Sequence, residues 1–326
     1  MSDVALHIAT SPVTRALDVI GDRWAVLIMR DAFQGVRRFE EFRARTGATR
    51  ATLTNRLKAL VEQGLLERVR YSESPPRDEY RLTRAGRDLI GVALAAWRWE
   101  RRWAPSGDGV PGRLWHERCG YATRPQLVCG SCGEPLDLRE TVYRSRAPSR
   151  RSSPPQPLLR RLSPSTARTH RGTSADMTYV ADIMGDRWTP LVLSASFFGQ
   201  RRFEDIQQSL GIASNILAQR LERLVKRGIL RRRVYSRHPS RSEYRLTDKG
   251  RDLYPYAMAL MVWGERWLAP RGTATAVLYH STCGRRIAPQ VRCDHCGGRI
   301  GVKDLSFRPL SKTRIKKDNS RAHLAR

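Results

Sequence analysis

The chain has 326 residues, and its 60 Lys and Arg against 31 Asp and Glu give a net charge of +29. That length suits about two domains of ordinary size, each able to bury a core, and the basic excess points to a polyanionic partner: DNA, RNA or an anionic membrane. A membrane is disfavoured. The longest apolar stretch, near 89–97, is too short to span and is followed by Arg98, Arg101 and Arg102, and the opening MSDVALHIATS lacks the cationic start and long apolar run of a secretory leader.

In chain order, Val13, Ala16, Leu17 and Ile20 give a helical pattern over 13–20, and Gly21-Asp22 turns the chain. A second helix is predicted over 24–33 and a third over 39–45, stopped by Gly47. Thr49 can cap a fourth helix that runs to about Gln63, with Gly64 ending it. Two strands, 65–71 and 78–83, follow around a loop containing Pro75-Pro76, and a last helix covers 84–103. Three helices, a hairpin and a helix is the order of a winged helix-turn-helix.

The fourth helix carries the chemistry. Leu53, Leu57, Leu60 and Val61 form one buried stripe, while Ala51, Thr52 and Asn55 point the other way, with Arg50 at the N-terminal end and Arg56 on the flank. Asn can pair bidentately with adenine, and Arg with guanine or phosphate, so this face suits a major groove. A solvated helix face is the plain alternative. At the hairpin tip Arg77 can reach a phosphate or the minor groove.

The whole pattern then recurs at a constant offset of 164 residues: Gly21-Asp22-Arg23-Trp24 as Gly185-Asp186-Arg187-Trp188, and Glu79 to Thr83 as Glu243 to Thr247. The second reading helix has Asn215, Ile216, Gln219 and Arg220, and the second hairpin tip has Arg241. Between the copies, 144–174 holds eight Arg, five Pro and no acid, and the tail 308–326 holds seven Lys or Arg against one Asp. Both read as flexible, and together they carry about half of the net charge.

At these residues the sequence resembles the HxlR-type family of bacterial transcription regulators. The marks are Leu17 to Trp24, Arg38-Phe39, Arg56-Leu57 and Tyr80 to Thr83 with Gly86, repeated at Asp182 to Trp188, Arg202-Phe203, Arg220-Leu221, and Tyr244 to Thr247 with Gly250. The resemblance implies a winged-helix fold whose first and last helices pair two modules. Many members carry a sensing cysteine just before the first helix; here Ser11 and Ala175 stand there and cannot form a thiolate.

Six cysteines, three in each half, fit disulfide pairing poorly. His116-x2-Cys119-x9-Cys129-x2-Cys132 and His280-x2-Cys283-x9-Cys293-x2-Cys296 each supply three Cys and one His, the donor set of a closed tetrahedral zinc site. A redox switch, a knuckle without metal and a bystander His are the alternatives.

The expected architecture is mainly α with small β-hairpins: two winged helix-turn-helix domains, 11–108 and 175–272, each followed by a zinc-ribbon-like segment, 113–143 and 277–307, with linker 144–174 and tail 308–326. The expected function is a cytoplasmic, nucleoid-associated regulator that binds double-stranded DNA at two unlike half-sites. It would act as an intramolecular pseudo-dimer or a homodimer, with up to two structural zinc ions and an effector that the residues do not identify. An RNA-binding or protein-docking winged helix is the runner-up. A thiol oxidoreductase is disfavoured, because the chain has no Ser/His/Asp set, phosphate-cradling Gly loop or paired carboxylates.

Overall fold

The computed structural model describes residues 3–104, 113–146, 178–237, 240–268 and 274–308. The first copy opens with α1 (Asp3–Thr10), α2 (Pro12–Ile20), α3 (Arg23–Phe33), α4 (Phe39–Thr46) and α5 (Arg50–Glu62). The antiparallel wing β1 (Leu66–Glu73) and β2 (Pro76–Leu82) follows, then α6 (Arg84–Asp88) and α7 (Ile90–Trp103). Strands β3 (Arg113–His116), β4 (Tyr121–Thr123), β5 (Gln126–Cys129) and β6 (Thr141–Ser145) complete it. The second copy runs α8 (Thr178–Met184), α9 (Trp188–Phe197), α10 (Phe203–Leu210), α11 (Ser214–Lys226), β7 (Leu230–Arg237), β8 (Ser240–Leu246), α12 (Asp248–Arg251) and α13 (Tyr254–Trp267). It ends with β9 (Ala276–His280), β10 (Pro289–Arg292) and β11 (Leu305–Arg308).

Local chemistry accounts for the repeated motifs. Asp22 caps α3 by accepting from the amides of Trp24 (3.0 Å) and Ala25 (3.1 Å), and Asp186 does the same for Trp188 and Thr189, both at 3.0 Å. The preceding glycine is steric: a Cβ on Gly21 or Gly185 would lie 2.2 Å from the Leu17 or Ala181 carbonyl oxygen. Thr83 and Thr247 cap α6 and α12 through the amides of Gly86 (3.1 Å) and Gly250 (3.2 Å). Leu53, Leu57 and Leu60 on α5 and Leu217, Leu221 and Leu224 on α11 are buried, so each reading helix is fixed by its leucine stripe.

Three expectations need correction. Helix α1 precedes the expected first domain at 11–108 and packs against α9 and α10 of the other copy. The last helix is two helices, α6 and α7, separated at Leu89. The expected linker gives up its first residues, since β6 runs to Ser145 and pairs with β9. The rest of that linker, from residue 147, and the tail from 309 lie outside the described residues, as do 105–112.

The two copies pack on one another with reciprocal contacts. The Trp99 indole donates to the Lys249 carbonyl and the Trp263 indole to the Ala85 carbonyl, both at 2.9 Å. Trp103 donates to Asp252 (2.8 Å) and Trp267 to Asp88 (3.2 Å). Arg23 pairs with Asp182 at 2.6 Å and Arg187 with Asp18 at 2.5 Å. Each contact reappears with the copies exchanged, which is the signature of a two-fold interface built within one chain. Each indole buries a large apolar body while its single donor is satisfied.

The strands obey the same rule. β3 pairs with β11, β6 with β9, and β5 with β10, all antiparallel and all between copies. Symmetry fails on the long helices where Glu100 stands opposite Gly264. The buried Glu100 on α7 accepts from the Val180 amide of α8 at 3.0 Å, whereas its counterpart on α13 is Gly264. A Cβ there would meet the Pro12 carbonyl oxygen at 2.3 Å, so glycine lets α2 approach closely.

Candidate nucleic-acid interface and Cys/His clusters

On α5 the residues Arg50, Ala51, Thr54, Asn55 and Lys58 are exposed and Thr52 is half-buried. The Thr52 hydroxyl accepts from that of Thr49 (2.9 Å), and Arg50 pairs with Glu40 (2.7 Å) while lying over the Phe39 ring. On α11 the residues Ser214, Asn215, Ala218, Gln219 and Glu222 are exposed, and Ile216 is half-buried against the core. Gln219 accepts from the Arg220 guanidinium at 2.8 Å.

Arg56 and Arg220 turn inward rather than standing on the flank. Arg56 pairs with Asp22 at 3.5 Å and Arg220 with Asp186 at 3.0 Å, which ties each reading helix to the cap of the preceding α3 or α9. Burial holds the Asp22 carboxyl above its usual range, opposed by the Arg56 charge and the capping amides.

The wings differ in charge. Arg77 is exposed at the first tip. Behind it Asp78 binds the guanidinium groups of Arg68 (2.5 Å) and Arg70 (2.7 Å), and these two arginines hold its carboxyl below the usual range. In the second wing Ser242 replaces Asp78, and Arg231, Arg232 and Arg233 are all exposed. The side chain of Arg241 lies outside the described residues; its backbone pairs with Ser236.

The cysteines form two groups, each drawn from both copies: His116, Cys119, Cys293 and Cys296, and Cys129, Cys132, His280 and Cys283. This corrects the expected partition. Each spaced motif does not close on itself, because β5–β10 pairing sets the Cys-x2-Cys turn of one copy against the His-x2-Cys turn of the other. In each group the four donor atoms lie within 4.8 Å of one another. The Nδ1 atom of His116 faces Cys119 (3.2 Å) and Cys296 (3.4 Å), and that of His280 faces Cys132 (3.3 Å) and Cys283 (3.7 Å). Sulfur pairs Cys119–Cys293 and Cys129–Cys283 are each 3.9 Å apart, too far for a disulfide and close to the roughly 3.8 Å edge of a tetrahedron with zinc–sulfur bonds of about 2.3 Å.

Burial pushes the Cys129 and Cys293 thiols up, yet both end below the usual range. Around Cys129 the amides of Ser131 and Cys132 favour the thiolate, and around Cys293 the Thr123 hydroxyl and the amides of Cys296 and His295 do so. The outer shells differ. His280 Nε2 lies 3.4 Å from the Glu140 carboxylate. Asp304, the counterpart of Glu140, is one methylene shorter and binds Arg118 (2.9 Å) and the Gly301 amide (2.8 Å) instead of approaching His116, and neither histidine Nε2 makes a hydrogen bond.

The single-copy motif missed the exposed Thr54 and Lys58 and the three wing arginines. Laying the copies over each other at their constant offset exposes the wing difference, since Glu67, Val69 and Asp78 fall opposite Arg231, Arg233 and Ser242.

Two buried-stripe reading helices, each followed by an antiparallel wing, define a helix-turn-helix transcriptional regulator rather than an enzyme. The chain belongs to the HxlR-like helix-turn-helix family, whose model matches it twice, at residues 19–108 and 183–272. An otherwise uncharacterized HTH-type transcriptional regulator of Mycobacterium tuberculosis is 44% identical over 142 residues, covering 44% of this chain and 90% of that protein. Another from Synechocystis is 34% identical over 108 residues, covering 33% of this chain and 80% of that protein. Among solved structures, a candidate transcription factor of Pseudomonas aeruginosa, PA1374, is 30% identical with a TM-score of 0.33, covering 41% of this chain and 91% of its own. Among the described residues no helix is long and apolar enough to cross a membrane.

Proposed function

We propose that one chain occupies one DNA operator, with α5 and α11 in successive major grooves reading unlike half-sites. The observation that carries this is the reciprocal packing of Trp99, Trp103, Trp263 and Trp267, which joins the two copies as a dimer is joined while leaving both reading faces exposed. Helix-turn-helix pairs read half-sites about one turn apart. Thr52 and Asn55 in one copy, and Asn215, Ile216 and Gln219 in the other, offer different donor, acceptor and apolar groups to base edges. Arg50, Arg77 and Arg241 contact phosphates, and Arg56 and Arg220 hold the reading helices in register through Asp22 and Asp186.

Each Cys/His group holds one structural zinc ion. Both sets have four protein donors, which suits a closed site with no open position for catalysis. Bound zinc would supply thiolate cross-links between the copies. Neighbouring amides and the Thr123 hydroxyl favour the thiolate at Cys129 and Cys293, and the Glu140 carboxylate stands 3.4 Å from the His280 ring.

Selection of bound sequences from random duplex DNA, followed by footprinting and sedimentation of the complex, tests the operator. One chain protecting two dissimilar half-sites is the expected result. Two chains on a perfect palindrome, or equal competition by structured RNA, overturns it.

A further inference from the structure

A cavity of about 740 Å3, counted out to its mouth, lies between the copies and away from both reading helices. Its walls come from α1, α2 and β6 of the first copy and from α9, α13 and β9 of the second. The lining is apolar with a few polar groups, the composition common at small-molecule sites. Phe197, Phe198, Met258 and Leu278 are part of the apolar wall. Among the described residues no Lys, Arg, Asp or Glu lines it.

The polar groups divide into spent and unspent. Both ring nitrogens of His7 are engaged, by Thr275 at 2.8 Å and Ser145 at 3.0 Å. The Thr141 hydroxyl donates to the Asp137 carbonyl at 2.9 Å. The Tyr254 hydroxyl is different. Its side chain is buried, its ring is held edge-on by Phe197, and its oxygen makes no well-formed hydrogen bond, although Thr141 lies nearby. Burial drives its pKa well above the ordinary phenol value, so it stays a neutral donor at every physiological pH. A buried donor left without an acceptor is costly, and an acceptor on a ligand in the cavity would remove that cost.

The counterpart position in the other half is not equivalent. Ile90 stands for Tyr254 and has no hydroxyl, while the buried Arg30 and Trp97 stand for Ser194 and Met261. Among the described residues the phenol-bearing cavity therefore has no symmetric twin.

We infer that this cavity is a binding site for a small uncharged molecule of about one ring, carrying one carbonyl-type acceptor that takes the Tyr254 hydroxyl proton in a hydrogen bond. Charge is excluded by the lining, since a buried carboxylate or ammonium would have no partner. The inference is independent of which DNA the chain reads, and its test uses no DNA.

Acetophenone, toluene and benzoate are titrated into the full chain by calorimetry. Acetophenone should bind with one equivalent per chain, toluene about tenfold more weakly for want of the acceptor, and benzoate more weakly still. Tyr254→Phe should reduce acetophenone to the affinity of toluene and leave toluene unchanged. Met258→Trp should abolish both by filling the space. Absence of saturable acetophenone binding to the folded wild type overturns the inference. So does benzoate binding as tightly as acetophenone, or an acetophenone affinity unaltered by Tyr254→Phe, an isosteric change that decides the matter even if Met258→Trp fails to fold.

Discussion

The two wings share length, register and an aromatic anchor, yet they present opposite surfaces to a polyanion. Leu66–Leu82 balances four Arg with four acids, whereas Leu230–Leu246 has six Arg against one acid. In the first wing Asp78 consumes Arg68 and Arg70; in the second, Ser242 takes only a neutral contact from Arg232 at 2.9 Å. Both still seat an arginine on the wing tyrosine, Arg38 on Tyr71 and Arg202 on Tyr235. On the function proposed above, this difference would concentrate phosphate attraction in the second copy and leave the first more dependent on its reading helix. A tandem chain can divide labour in this way because its halves mutate independently, which two identical subunits cannot do.

The largest expected effect falls on the Cys/His clusters, which both halves build. Cys119→Ser with Cys296→Ser removes donors from one group and should leave one zinc per chain. Cys119→Ser with Cys132→Ser lies within one copy but touches both groups, and should leave none, with a large loss of thermal stability. Zinc content by atomic emission decides between these, and the reverse outcome restores the within-copy partition.

Next comes the wing difference itself. Arg232→Ala with Arg233→Ala should weaken binding to all duplexes by about 30-fold at 0.15 M salt and flatten the salt slope by about 1.8. Arg68→Ala with Arg70→Ala should do much less, because those charges are already neutralised by Asp78. Equal slopes for the two double variants, measured by fluorescence anisotropy across salt, would erase the division.

A smaller effect separates the reading helices. Asn55→Ala should relax preference at one position of one half-site by about tenfold, and Gln219→Ala at one position of the other half-site. Binding to libraries randomised at each position measures both.

The smallest concerns the long helices. Glu100→Gln should destabilise the fold by about 1 kcal/mol by turning one of the acceptors that face the α8 amides into a donor. Chemical denaturation checks it.

Much of the scaffold is legible in the sequence. The leucine stripe of α5, the Gly-Asp-Arg-Trp turn and the Tyr-Arg-Leu-Thr strand end are local features, and each is explained by a cap or a close approach within a few residues. What is not legible is long-range. The spacing His-x2-Cys-x9-Cys-x2-Cys is compatible with closing on itself or on a second copy, and only the antiparallel pairing of β5 with β10 selects the exchange. Arg56 reads as a surface side chain because its partner Asp22 sits 34 positions earlier. Helix α1 is short, and it is stabilised by α9 and α10 of the distant copy rather than by its own propensity.

The exchange of cysteines has a consequence for how the molecule is made. When the first copy has left the ribosome, each cluster has only two of its four donors, and neither can close until Cys283, then Cys296, has emerged. Half-finished chains therefore carry unpartnered cluster thiols, and if the clusters hold zinc as proposed, its capture would come late in synthesis. It also means that two chains could each lend their first copy to the other's second, so dilution during refolding should favour the self-contained monomer over interlocked pairs.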